Sequence, residues 1–184
     1  MRLFVSIDLP DEFAEPIADI QEELSEAEGI RPTDPTQTHV TLKFLGEVEE
    51  GRVPELEEAL ETAVAESDVS PFEAEYGGLG VFPSLEYISV VWLGVREGGE
   101  AMARLHEAIE RETVDMGFDP EDHEFTSHAT VARMDHAGGK EHVQRLVRER
   151  DPTVGRAEVG EIRLTESELA SDGPVYSTVA SIPL

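Results

Sequence analysis

Two short stretches of the chain repeat one another: His39-Val40-Thr41-Leu42 and His128-Ala129-Thr130-Val131. In an extended strand, residues i and i+2 share a face. Each stretch therefore offers an imidazole and a hydroxyl on one side and two apolar side chains on the other. Imidazole titrates near pH 6.5, so two of them in one cleft can serve as base and acid at neutral pH. The neutral one takes a proton from an attacking hydroxyl or water, and the protonated one gives a proton to the leaving oxygen. Threonine hydroxyls are short, uncharged donors suited to the non-bridging oxygens of a phosphate. The chemistry that fits is an in-line displacement at phosphorus, with no metal required. The plainer alternative is two half-buried strand histidines, each bonded to a nearby threonine.

The elements that must carry these residues are legible from periodicity. Residues 2–8 alternate as a first strand. A helix follows from Asp11 as N-cap, with Phe13, Ile17, Ile20 and Leu24 at helical spacing and Gly29 as its stop. Residues 31–37 read as loop, and the first His strand runs over 38–45. Helices are expected at 51–66, 98–116 and 137–149. Strands are expected at 72–76, 86–95 and 126–134, with one of 154–168 bent at Gly160 and one of 174–182. Gly77-Gly78-Leu79-Gly80 leads to Phe82-Pro83 and not to Gly-Lys-Ser/Thr, so it reads as a bend in a strand and not a phosphate loop. Each half of the chain holds strands, helices and one His-x-Thr strand. The pattern predicts a pseudo-duplicated α+β protein, bilobal, with two antiparallel sheets, one per half, facing a central cleft and helices outside. Residues 1–184 are expected to form one domain of two intertwined lobes.

Composition bounds the rest. There are 41 acidic and 14 basic residues, a net charge of −27, and only two lysines, Lys43 and Lys140. Apolar periodicity persists along the chain, so this is a solvated acidic surface on a folded protein and not disorder. It suggests a halophilic, salt-rich cytoplasm in which charges are screened beyond a few ångströms. Cysteine is absent, excluding disulfides and thiolate metal sites. No stretch approaches the roughly 20 apolar residues of a membrane span, and the opening apolar run is too short for a signal peptide. The expectation is a cytoplasmic monomer without membrane partners.

Around the two motifs the chain resembles the two-histidine (2H) phosphoesterases, specifically the RNA 2′,3′-cyclic phosphodiesterases also called 2′-5′ RNA ligases. Arg2 to Pro10 is similar to that family's opening strand. Thr38 to Gly46, Thr-His-Val-Thr-Leu-Lys-Phe-Leu-Gly, resembles its first motif, and Ser127 to Arg133, Ser-His-Ala-Thr-Val-Ala-Arg, its second. Phe82-Pro83 and Val91 to Val95 resemble its middle, and Leu164 to Leu184 its final hairpin. Thr36-Gln37-Thr38, before His39, departs from the family's aromatic-containing approach. The resemblance implies a metal-independent, cofactor-free opening of an RNA 2′,3′-cyclic phosphate, on a tRNA fragment or oligonucleotide, to a 2′-phosphate. It also implies the reverse, ATP-independent 2′-5′ joining. By the same resemblance His128 is the general base and His39 the general acid, an order the residues alone leave open. Thr41 and Thr130 would bind the phosphate.

Two cations complete the expected phosphate site. Lys43 lies two residues beyond Thr41, on the same face if alternation holds. Arg133 lies three beyond Thr130, on the other face unless a bulge or strand end redirects it. Phe44 reads as core. His106, His123, His136 and His142 read as solvated or locally bonded. Three rival classes remain in view. A zinc hydrolase would need a compact ligand spacing such as His-x-x-x-His, which neither motif has. A non-catalytic RNA-binding α+β module would need no His-Thr pair on each half. An ATP-dependent ligase would need a nucleotidylated lysine, and neither Lys43 nor Lys140 sits in such a setting.

Overall fold

The first strand, β1 (Arg2–Asp8), buries five consecutive side chains, Leu3 to Ile7, because it runs through the interior of the sheet with both faces covered. The computed structural model describes all 184 residues. Asp11–Phe13 form a single 3-10 turn without a side-chain cap, where a capped helix start was expected. The helix proper, α1 (Ala14–Leu24), begins three residues later, which puts Pro16 in its first turn, where no backbone N–H is needed. Phe13, Ile17, Ile20 and Leu24 are all buried, as their spacing predicts.

A short strand, β2 (Ile30–Pro32), occupies part of the expected loop. Then follow β3 (His39–Glu47), α2 (Val53–Ser67), β4 (Phe72–Pro83), β5 (Ile88–Glu97), α3 (Gly99–Asp115), β6 (His128–Met134) and α4 (Lys140–Glu149). The expected bent strand is instead two strands, β7 (Thr153–Val159) and β8 (Glu161–Ala170), separated at Gly160, with β9 (Gly173–Pro183) closing a hairpin on β8. The glycine run bends β4 as predicted: Gly78 has φ +78°, and a side chain at Gly80 would collide with the Trp92 ring lying across it.

The fold is α+β and pseudo-duplicated, with one curled antiparallel sheet in the order β7-β4-β5-β6-β3-β1-β8-β9 and β2 added on β6. One block, β4 to β7, comes from the contiguous stretch 72–159. The other joins β1 and β3 to β8 and β9. The two blocks therefore do not follow the two halves of the chain, because the chain crosses from one edge of the sheet to the other block at Gly160. They meet at β3 and β6 through a single residue pair, Val40 with Ala129. The apolar faces of both motif strands, Val40, Leu42, Ala129 and Val131, belong to one buried cluster of 36 residues shared with the helices.

No helix is long and apolar enough to cross a membrane. With 41 acidic residues against 14 basic, most carboxylates repel one another across the surface. The Debye length falls from about 10 Å at 0.1 M salt to about 3 Å at 1 M. The unfolding temperature is therefore expected to rise from about 0.1 M to about 1 M KCl, and a flat or falling series by calorimetry would contradict the charge argument.

Candidate active site

Directly opposed residues of an antiparallel pair share a face. The Val40–Ala129 pair points into the core, with both side chains fully buried. Its register sets His39 opposite Thr130 and Thr41 opposite His128 on the other face. All four are half-buried. Thr33 donates to the Thr130 backbone carbonyl and leaves the Thr130 hydroxyl unengaged; that of Thr41 is unengaged too, and neither is sealed from solvent.

The two imidazoles sit in matching seats. His39 Nδ1–H donates to the Gln37 carbonyl at 2.9 Å, and His128 Nδ1–H donates to the Thr126 carbonyl at 2.7 Å. Each bond, made to the residue two before, leaves Nε2 to carry the chemistry. Each ring also rests on an aromatic pair. Phe4 lies 4.9 Å from His39 and the edge of Tyr176 at 5.1 Å. Phe82 meets His128 edge-on at 4.9 Å, with Trp92 at 5.9 Å.

Burial pushes both imidazoles below their ordinary value, with the backbone bond pulling each partly back. The remaining influences differ. The Asp8 carboxylate favours the charged form of His39. His123, His39 and Arg133 all disfavour the charged form of His128. Beside His39 a cavity of about 430 Å³ opens, lined among others by Asp8, Gln37, Arg163, Thr165 and Tyr176. A second cavity of about 580 Å³ shares Asp8 and Arg163 but touches neither histidine.

Just beyond each threonine the strand carries one extra residue. Along β1, Val5 pairs with Lys43 and Ser6 with Thr41, so Leu42 is skipped. Along β5, Val91 pairs with Ala132 and Trp92 with Thr130, so Val131 is skipped. A bulge of this kind reverses the alternation that follows it. Leu42 and Lys43 are both buried, as are Val131 and Ala132, while Phe44 and Arg133 come out at equivalent places.

Two expectations are corrected by this. Lys43 does not face the cleft: its side chain is 1% exposed, and Nζ donates to Glu110 Oε2 at 2.8 Å and to the Asp119 carbonyl at 2.6 Å. It cannot hold a substrate phosphate from there. Phe44, read as core, is 65% exposed. Arg133, by contrast, is turned outward by the bulge, without an ion-pair partner, and its charge is felt by both His128 and Tyr176.

Periodicity had no means of finding Gln37, Phe4, Tyr176, Phe82 and Trp92. Gln37 seats His39 with its backbone and holds the last hairpin with its side chain, which accepts from the Tyr176 N–H and donates to the Pro174 carbonyl. Of the remaining histidines, His123 and His136 bond locally as expected, while His106 and His142 bond carbonyls distant in the chain. His106 donates to the Leu42 carbonyl, His136 accepts from Gly138 N–H, His142 donates to the Glu23 carbonyl and His123 lies against Asp122.

Two imidazoles and two hydroxyls in matched seats on a duplicated fold mark a two-histidine phosphoesterase cleft. The LigT like Phosphoesterase family matches residues 7–92 and again 93–176, and the chain belongs to it. An RNA 2′,3′-cyclic phosphodiesterase of Archaeoglobus fulgidus is 36% identical over 177 residues, 96% of each chain. One of Aeropyrum pernix is 39% identical over 145 residues, 78% of this chain and 80% of that one. Among solved structures, a Thermus thermophilus protein superposes with TM-score 0.81 at 28% identity, covering 100% of this chain and 98% of its own. E. coli LigT in complex with 3′-AMP superposes with TM-score 0.77 at 26% identity, covering 100% and 97%.

Proposed function

We propose that this cleft opens 2′,3′-cyclic phosphate ends of RNA to 2′-phosphates by metal-free acid–base catalysis between His39 and His128. The observation that carries the reading is the matched pair of imidazoles, each with Nδ1 tied to a backbone carbonyl and Nε2 left to the cleft. Neutral His128 takes a proton from water through Nε2 as the water oxygen attacks phosphorus. The bond from phosphorus to O3′ breaks, and protonated His39 delivers its proton to O3′. The Asp8 carboxylate beside His39 and the cations around His128 support this order of roles. Thr41 and Thr130 donate to the non-bridging oxygens, and Arg133 offsets their charge. An RNA 5′-hydroxyl in place of the water would give 2′-5′ ligation by the same steps. The names of the relatives and the 3′-AMP held by E. coli LigT support a nucleotide substrate. The whole chain, as one domain of two lobes and a monomer, serves one cleft.

The test is an oligonucleotide ending in a 2′,3′-cyclic phosphate, incubated with EDTA across a pH series, with product mapping. The expected product is the 2′-phosphate, at a rate EDTA leaves unchanged. The base must be neutral and the acid protonated. Burial lowers both imidazoles below the ordinary 6.5, so kcat/KM should peak on the acid side of that value and decline above it. Loss of the rate in EDTA with recovery on added metal would overturn the mechanism. Binding without turnover would leave only an RNA-binding module.

A further inference from the structure

The joint between the two motif strands is thin. β3 and β6 share one residue pair, yet in-line transfer needs His39 and His128 in a fixed relation across the phosphate. β2 ties the far end of β6 to the chain before β3, and a hold at the other end, where β3 leaves Thr41 and the chain approaches His128, must come from elsewhere.

The back of the sheet supplies it. His106 and Glu110 lie one turn apart on α3, on the side facing β3. His106 Nδ1–H donates to the carbonyl of Leu42, the bulge residue directly after Thr41, at 2.7 Å. Lys43 Nζ reaches Glu110 Oε2 at 2.8 Å and the Asp119 carbonyl at 2.6 Å. The other Glu110 oxygen accepts the Glu121 N–H at 2.8 Å, and the Phe125 ring lies 4.6 Å from the His106 ring. Asp119, Glu121 and Phe125 belong to the segment that leads into Ser127 and His128. One turn of α3 thus grips the first motif just past its threonine and the approach to the second motif at Glu121 and Phe125, while Lys43 reaches that approach directly at Asp119.

We infer that Lys43, Glu110 and His106 form a brace that positions the two catalytic strands against each other, a positioning role for residues that touch no substrate. The inference rests on the two-histidine reading of the cleft. Burial alone would raise the Glu110 carboxyl, and its bonds to Lys43 and Glu121 outweigh that and hold it below the ordinary carboxylate value. One of the chain's two lysines is thereby sequestered from solvent. With its ammonium buried against a half-buried carboxylate, this pair is a poor source of stability compared with apolar packing, and its role here is to fix the geometry between the two segments it joins.

That difference gives the test. Lys43→Met with Glu110→Leu replaces the pair by apolar groups of similar size, which keeps stability near that of the parent, whereas Glu110→Leu alone leaves the buried Lys43 ammonium without its carboxylate and lowers the unfolding temperature. The double variant is expected to lose about 10²-fold in kcat on the cyclic-phosphate oligonucleotide with KM little changed, as for a misplacement near 1 Å. Its Glu121 amide should exchange with solvent faster than in the parent, while amides of β1 and β8 stay protected. A second arm does not depend on that variant folding: His106→Asn keeps a donor at the Nδ1 position for the Leu42 carbonyl and should retain most of kcat, and His106→Leu should not. A folded double variant with parental kcat, unchanged Glu121 exchange, or His106→Leu matching His106→Asn would each overturn the brace. A parent enzyme inert toward the cyclic phosphate would instead overturn the functional reading, and Glu121 exchange would still decide whether the brace holds its segment.

Discussion

Alanine at His128 is expected to lower the rate of cyclic-phosphate opening by about 10²–10⁴-fold, and alanine at His39 to do the same, the usual range for losing a positioned acid or base. Neither change should unfold the protein. Both imidazoles stand at the edge of the cleft, half-buried, and the core face of each strand is made by Val40, Leu42, Ala129 and Val131, which are untouched. In the proposed mechanism base and acid act in one proton relay, so removing both should cost little more than removing the more important one. The measurement is kcat for the two single variants and the double variant, with thermal unfolding to confirm the fold. A folded His128→Ala protein with parental kcat would eliminate the two-histidine mechanism, and two independent multiplying losses would show that the imidazoles serve separate steps.

The threonines come next in size. Thr41→Val and Thr130→Val keep the β-branched shape the strand prefers and remove only the hydroxyl. Each is expected to lower kcat by up to about 10²–10³-fold, the scale of a lost oxyanion donor. The hydroxyls are otherwise unengaged, so the loss is not of a structural bond. Serine at either position restores the donor and should recover much of the rate. If serine and valine were equally damaging, the methyl group and not the hydroxyl would be what matters, and the threonines would be packing residues.

The shared face of the His-Thr pairs was legible because a strand's period is two, and two His-x-Thr copies in apolar frames leave one arrangement for their side chains. Helices α1 to α4 were legible for a similar reason, within a few residues at each end. The bulges were not. A skipped residue alters pairing between strands, and strict alternation had Lys43 and Arg133 on the wrong faces. The one available sign was the run Val131-Ala132, two apolar neighbours where alternation asks for one. The seats of the histidines were hidden for a different reason. Backbone carbonyls such as those of Gln37 and Thr126 carry no side-chain signature, and Phe4 meets Tyr176 only because β1 pairs with β8 and β8 with β9. The crossing at Gly160 was read as a bend, since nothing local distinguishes a bent strand from two strands bound for opposite sides of a sheet.

The uneven assembly of the two blocks has a consequence for how the cleft comes into being. The aromatic pair that seats His128, Phe82 and Trp92, and its own strand lie within the contiguous stretch 72–159, where β4, β5 and β6 stand side by side in chain order. The seat of His39 instead needs Phe4 from one end and Tyr176 from the other, closed across a gap such as the 159 positions between the bonded Ser6 and Thr165. Closing so wide a loop costs chain entropy before any contact repays it, which makes such pairings slow. The two imidazoles, alike in their seats, are thus expected to be unequal in folding time, the His128 side assembling early from its own surroundings and the cleft waiting on the His39 side.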